Sequence, residues 1–109
     1  MPDPTLTSST VQSLADLAAF QPGRIASRVL LKNAGGSATL FAFAAGEGLR
    51  EHTAPFDARL IVLDGLAEVT LGGETHAVGV GETVLLPAHA PHAVHAPDDM
   101  RMLLVLLRA

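Results

Sequence analysis

The sequence predicts a single all-β domain, a sandwich or closed barrel, preceded by one short N-terminal helix. Three observations carry this. Short β-prone runs recur after Gly23, turn signals separate them, and no helical period intervenes. With 109 residues the chain has room for one core and not two. Residues 1–22 read as an N-terminal arm carrying the helix, and residues 23–109 as the barrel.

The elements follow in order. Residues 1–9 are rich in Pro, Ser and Thr and read as loose. Ser9-Thr10-Val11-Gln12 fits a capping box, in which Ser9 and Gln12 satisfy free backbone donors. Val11, Leu14, Ala15 and Ala18 follow at helical spacing, and Gln21-Pro22-Gly23 ends the run. Strands are expected at residues 24–31, 37–44, 60–63, 67–71, 75–78, 83–86, 93–95 and 101–107. Between them stand Gly35-Gly36, Gly46 to Gly48, Asp64-Gly65, Gly72-Gly73, Gly79 to Gly81, Pro87 to Pro91 and Pro97-Asp98-Asp99. Ala67, Val69 and Leu71 alternate with Glu68 and Thr70, as in a strand with one wet face. The last strand is apolar on both faces, so one face needs cover from the N-terminal segment or a second subunit.

Composition narrows the partners. Apolar residues make up 49 % and charged residues only 17 %, against a usual ~25 %. So little charge on a small globule leaves apolar surface to cover, and a homodimer is the expectation. The net charge is −4, Lys and Arg are scattered, and Tyr and Trp are absent, which argues against nucleic acid as a partner. The longest unbroken apolar runs fall far short of the roughly 20 residues of a membrane helix. Met1-Pro2-Asp3-Pro4 lacks the basic and apolar regions of a signal peptide, so a cytoplasmic location is expected. There is no cysteine for a disulfide or thiolate site. Neither a phosphate-binding loop nor a G-x-S-x-G elbow occurs.

Two segments are more specific. GEGLREHTAPFDARLIVLDG runs from Gly46 to Gly65, and GETVLLPAHAPHAVHA from Gly81 to Ala96. Together they resemble the two motifs of the cupin superfamily: G, five residues, H-x-H, three or four residues, E, six residues, G; then G, five residues, P-x-G, two residues, H, three residues, N. Gly46, His52 and Gly65 fall on the first motif, and Gly81, Pro87 and His92 on the second. The resemblance implies a double-stranded β-helix, or jelly-roll, barrel. It is strongest to small, RmlC-like type-2 cupins of the functionally uncharacterised bacterial kind.

In that family three histidines and a glutamate hold one metal ion inside the barrel. Here the second histidine slot is Ala54 and the glutamate slot Ala58; the glycine slot of the second motif is His89, and the asparagine slot Ala96. Of the ligand set only His52 and His92 remain. Glu51 and Asp57 flank the inward positions, and strand alternation turns them away. Two imidazoles suit Zn, Ni, Mn, Fe or Cu, but most sites add a third protein ligand. A four-ligand zinc site is worth about 10–16 kcal/mol, so half the set scales to roughly 5–8, or dissociation constants from about 0.2 mM to 1 μM. No cofactor is certain from the sequence. The expected function is a small-molecule-binding cupin barrel with a reduced two-histidine pocket, its small organic ligand unspecified. The alternative is a metal-dependent enzyme, of oxygenase or isomerase type, with His52 and His92 as ligands. A metal-free acid/base enzyme pairing one of them with Glu51 ranks last. His76, His89 and His95 read as ordinary exposed histidines, and Phe41, Phe43, Phe56, Met100 and Met102 as core. A shared ion bonded at 2.0–2.1 Å requires about 3.0–3.4 Å between the two ring nitrogens, which makes that separation the decisive measurement.

Overall fold

The computed structural model describes residues 10–108. One helical turn, α1 (Leu14–Leu17), precedes nine strands: β1 (Ile25–Asn33), β2 (Gly36–Phe43), β3 (Gly48–His52), β4 (Phe56–Asp64), β5 (Leu66–Leu71), β6 (Glu74–Gly79), β7 (Thr83–Leu86), β8 (His92–His95) and β9 (Met100–Arg108). They form two antiparallel sheets. One has the order β1-β2-β9-β4-β7 and the other β3-β8-β5-β6. The eight expected strands are present with shifted ends. The ninth, β3, falls where a turn and polar residues stand in the sequence, and only Leu49 on it is part-buried.

The expected closed barrel is corrected to a two-sheet jelly roll, because among the described residues no ladder joins the sheets into one ring. The physical reason lies at the corners. After β2, every connection except β5–β6 crosses between sheets. The crossings carry residues that end a ladder, such as Pro87, which has no N–H to donate. Gly65 makes the β4–β5 corner at φ 75°. A Cβ there would collide with the Asp99 carbonyl, so only glycine lets the corner close.

The inner faces share one core. Phe43, Leu60, Val62, Met100 and Met102 come from the first sheet, and Ala67, Val69, Val78 and Val94 from the second. A smaller cluster lies on the outer face of the five-stranded sheet. There Leu17 and Ala18 of the arm cover Leu40 and Ala42, with Phe20, Ala26, Leu30 and Leu63 around them. The arm thus covers one end of the two-faced sheet, while Leu31 and Leu107 at the other end stay 69 % and 60 % exposed. No helix among the described residues is long and apolar enough to cross a membrane.

The expected short helix is present, reduced to one turn. Its Ser9 cap lies outside the described residues, Val11 is 99 % exposed, and Ser13 occupies the N-cap position without a side-chain bond. A single turn has too few hydrogen bonds to sustain itself. Tertiary contact decides the local shape instead. Arg101 Nε donates to the Ala18 carbonyl at 2.8 Å, drawing Ala18 into extended backbone. The same guanidinium lies 4.1 Å from the Phe20 ring centroid and donates from Nη1 to Asp64 Oδ2 at 2.8 Å.

Arg101 is 13 % exposed at its side chain, whereas Asp64 is 50 % exposed. Arg101→Ala should therefore lower unfolding free energy by about 2–3 kcal/mol, through a lost charged hydrogen bond and ring contact. Asp64→Asn should cost less than about 1 kcal/mol. Urea denaturation of both variants checks the order; equal losses would contradict the anchoring role given to Arg101.

Candidate functional site

The site is built where β3 runs beside β8. Regular pairing matches Gly48 with His95 and Leu49 with Val94, and then His52 with His92. Three steps on β3 thus oppose two on β8, which is a β-bulge. Leu49 packs on the core. Without the bulge, alternation would turn Glu51 inward and His52 outward. The extra residue restores His52 to the inner side. His92 needs no such device, since it shares the inward face of β8 with buried Val94.

The two rings meet edge to face, with centroids 4.3 Å apart and planes at 68°. Their Nε2 atoms are 3.1 Å apart. His92 is 7 % exposed, and His52 is exposed. Each Nδ1 faces a backbone carbonyl: His52 that of Arg50 at 2.8 Å, and His92 that of Ala90 at 3.1 Å. Carbonyl oxygens only accept, so the hydrogen-bond network assigns the ring proton to Nδ1 in both. Two neutral rings so held turn their Nε2 lone pairs on each other. That opposition is relieved by something electron-poor between or beside them: a metal cation, a proton, or a ligand O–H or N–H.

The loop from β7 to β8 fixes His92. Ala90 N donates to the Pro87 carbonyl at 3.2 Å, and His89 N to the Ala54 carbonyl at 2.7 Å. Asp57 Oδ1 accepts from Ala88 N at 2.9 Å. Asp57 is thus spent on the loop and Glu51 is exposed. Neither imidazole has a carboxylate partner among the described residues. Ala58 is buried in the core beside Leu86.

The residues present fit an anchorage by two imidazoles and not the four-ligand set of the motif. The 3.1 Å separation falls inside the window for a shared ion. No cluster of three or more potential ligands occurs among the described residues. His95 lies elsewhere, 2.7 Å from Glu68 on the outer face of the second sheet, and His76 is 4.0 Å from Glu74. Phe43, Met100 and Met102 are fully buried; Phe41 packs against the core. Phe56 is instead half-buried at the start of β4, with the Arg108 guanidinium over its ring.

A family model described as "Cupin domain" matches residues 39–107. Among solved structures, a conserved protein of unknown function from Streptococcus pyogenes is 31 % identical, with TM-score 0.90 over 96 % of this chain and 92 % of its own. A cupin superfamily protein from Desulfitobacterium hafniense is 25 % identical, with TM-score 0.89 over 96 % of each chain. A "cupin 2 conserved barrel domain protein" from Leptotrichia buccalis is 37 % identical, with TM-score 0.83 over 86 % of this chain and 46 % of that one. Comparison with curated proteins finds no match.

His89 occupies the glycine slot of the second motif, and its φ is 66°. Left-handed backbone costs a side-chain-bearing residue about 1–2 kcal/mol, and glycine's extra unfolded-state freedom takes back about half of that. His89→Gly should therefore raise unfolding free energy by about 0.5–1 kcal/mol. Thermal or urea denaturation reads the sign; a loss of stability would mean that the His89 ring contributes a contact outweighing its backbone.

Proposed function

The chain belongs to the cupin family, and from that footing we propose that it binds a small organic molecule at the His52–His92 pair. One observation carries the proposal: two Nε2 lone pairs, each locked by an Nδ1 hydrogen bond, converge at 3.1 Å where the chain opens to solvent. A hydroxyl, carboxylic acid or N–H on a ligand is matched to such an acceptor pair. The buried His92 sets the position, and the exposed His52 leaves the approach open.

A second reading is favoured by the same distance. His52 and His92 would hold a divalent transition metal (Zn, Ni, Mn, Fe or Cu) in a metal-dependent enzyme of oxygenase or isomerase type. When bound, the metal would supply a Lewis acid with positions left for water or substrate. The chain's own part is to keep both Nε2 atoms aimed, through the Nδ1 hydrogen bonds to the Arg50 and Ala90 carbonyls.

We also propose a homodimer. Leu31, Ala38, Val105 and Leu107 line one apolar hollow on the outer face of the five-stranded sheet, beyond the reach of the arm. Light scattering at micromolar concentration should give twice the chain mass; a monomer would contradict this.

Zinc or nickel titrated into chelator-treated protein should bind with a dissociation constant between about 1 μM and 0.2 mM. His52→Ala and His92→Gln, each checked for folding by circular dichroism, should weaken this at least tenfold. A panel of hydroxyl- and amide-bearing fragments, followed by ligand-observed NMR on metal-free protein, tests the first reading. Fragments whose binding depends on both histidines support it; binding indifferent to both substitutions overturns it.

A further inference from the structure

The sheet registers bring a second set of side chains to the same end of the molecule as the histidine pair. Phe56 opens β4 four residues after His52, and it pairs with Arg108 at the close of β9. Ser37 at the start of β2 pairs with Leu106 and with Lys32 on β1. Leu106 in turn pairs with Ala58, and Ala58 pairs with Leu86, from which the chain leads through residues 87–91 to His92. On β9, Leu106 and Arg108 continue the inward row of Met102 and Leu104.

These residues enclose a cavity of about 200 Å³, lined by Lys32, Asn33, Ser37, Phe56, Leu106 and Arg108 along with Gly36. Its charge is unusual for the chain. The protein carries a net −4, yet two cations and no carboxylate line this opening. Neither Lys32 nor Arg108 has a carboxylate partner among the described residues. Asp57, next to Phe56, faces away and is bonded to Ala88 N. Arg108 is partly set in place: its guanidinium carbon lies 5.4 Å from the Phe56 ring centroid, and its backbone N donates to Gly35 O at 3.0 Å.

Resting on the small-molecule reading above, we infer that the ligand is a small organic carboxylate, with its acid group between Lys32 and Arg108. The guanidinium fork and the ammonium supply donors to the two carboxylate oxygens, and the Ser37 hydroxyl adds another. Phe56 and Leu106 form the apolar floor for the body of the ligand, whose far end reaches toward the histidine pair. The volume is below the roughly 300–1,000 Å³ of pockets for drug-sized ligands, which sets the size class. An apolar floor under the cations favours a carboxylate with a hydrophobic body over inorganic phosphate.

Benzoate and benzamide share a shape and differ in charge, so they serve as probes, followed by NMR titration of the full-length, chelator-treated protein. Benzoate should bind at least tenfold more tightly than benzamide, and its affinity should fall as salt rises. Arg108→Gln and Lys32→Gln should each weaken benzoate five- to tenfold and leave benzamide unchanged, while Arg108→Lys restores part of the loss. Zinc titration of the same variants should match wild type, because the histidine pair is untouched. Equal binding of the two probes, or none up to 10 mM, overturns the inference, as does phosphate displacing benzoate at equal concentration. If benzoate binds as expected but does so independently of His52 and His92, the two-histidine reading fails and the cationic opening stands.

Discussion

Along a β-strand successive side chains leave on opposite faces, so nine short strands in two sheets commit each residue to core or solvent by position alone. A polar strand cannot contribute an inward histidine from an outward position without breaking that rule somewhere. β3 breaks it once, at the bulge between Leu49 and His52. The insertion keeps Leu49 in the core and brings His52 round to face His92. Phase along β4 and β9 does the rest, since it turns Ala58 and Leu106 inward and sends Asp57 and Leu107 out.

The same economy appears in the loop that delivers His92. Its three ties run to Pro87 within the loop, to Ala54 in the segment following His52, and to Asp57 on β4 of the first sheet. A shift of either strand therefore moves the other's histidine. His89 holds a left-handed backbone inside this loop, and its amide reaches the Ala54 carbonyl from that conformation. Strain of this kind persists where surrounding contacts over-determine the local geometry. Here those contacts also fix the distance between the two imidazoles.

Much of the fold was legible because glycine and proline mark corners by their backbone limits. Gly65, Gly81 and Pro87 stand at sheet crossings, and the apolar alternation of residues 67–71 marked a core face, while the run at 102–107 marked a strand covered on both sides. GLREH carries one apolar residue, so β3 left no periodic signal, and its bulge had none at all. The helix was overextended because the Arg101 bond to Ala18, across 83 positions, overrides local spacing. His52 and His92 were found through motif spacing; their tautomers needed the carbonyls of Arg50 and Ala90, which no side-chain pattern encodes. Lys32 and Arg108 sit far apart in the chain and meet at one cavity through β2 and β9. Scattered cations in a sequence give no hint of such a meeting.

The two alanines at the remaining ligand slots change what a metal would mean for this protein. A carboxylate at position 58 would sit in the core between Leu86 and Leu106. Buried without a cation, such a charge costs several kcal/mol, so a protein carrying it leans on its metal for stability. A methyl group there packs against its neighbours in any state of the site. The core packs around that methyl group without a metal, so any binding at His52 and His92 would be separated from folding. An affinity free of that structural duty can be set by the ligand alone. That condition suits a site that takes up and releases a small molecule better than one that holds a permanent ion.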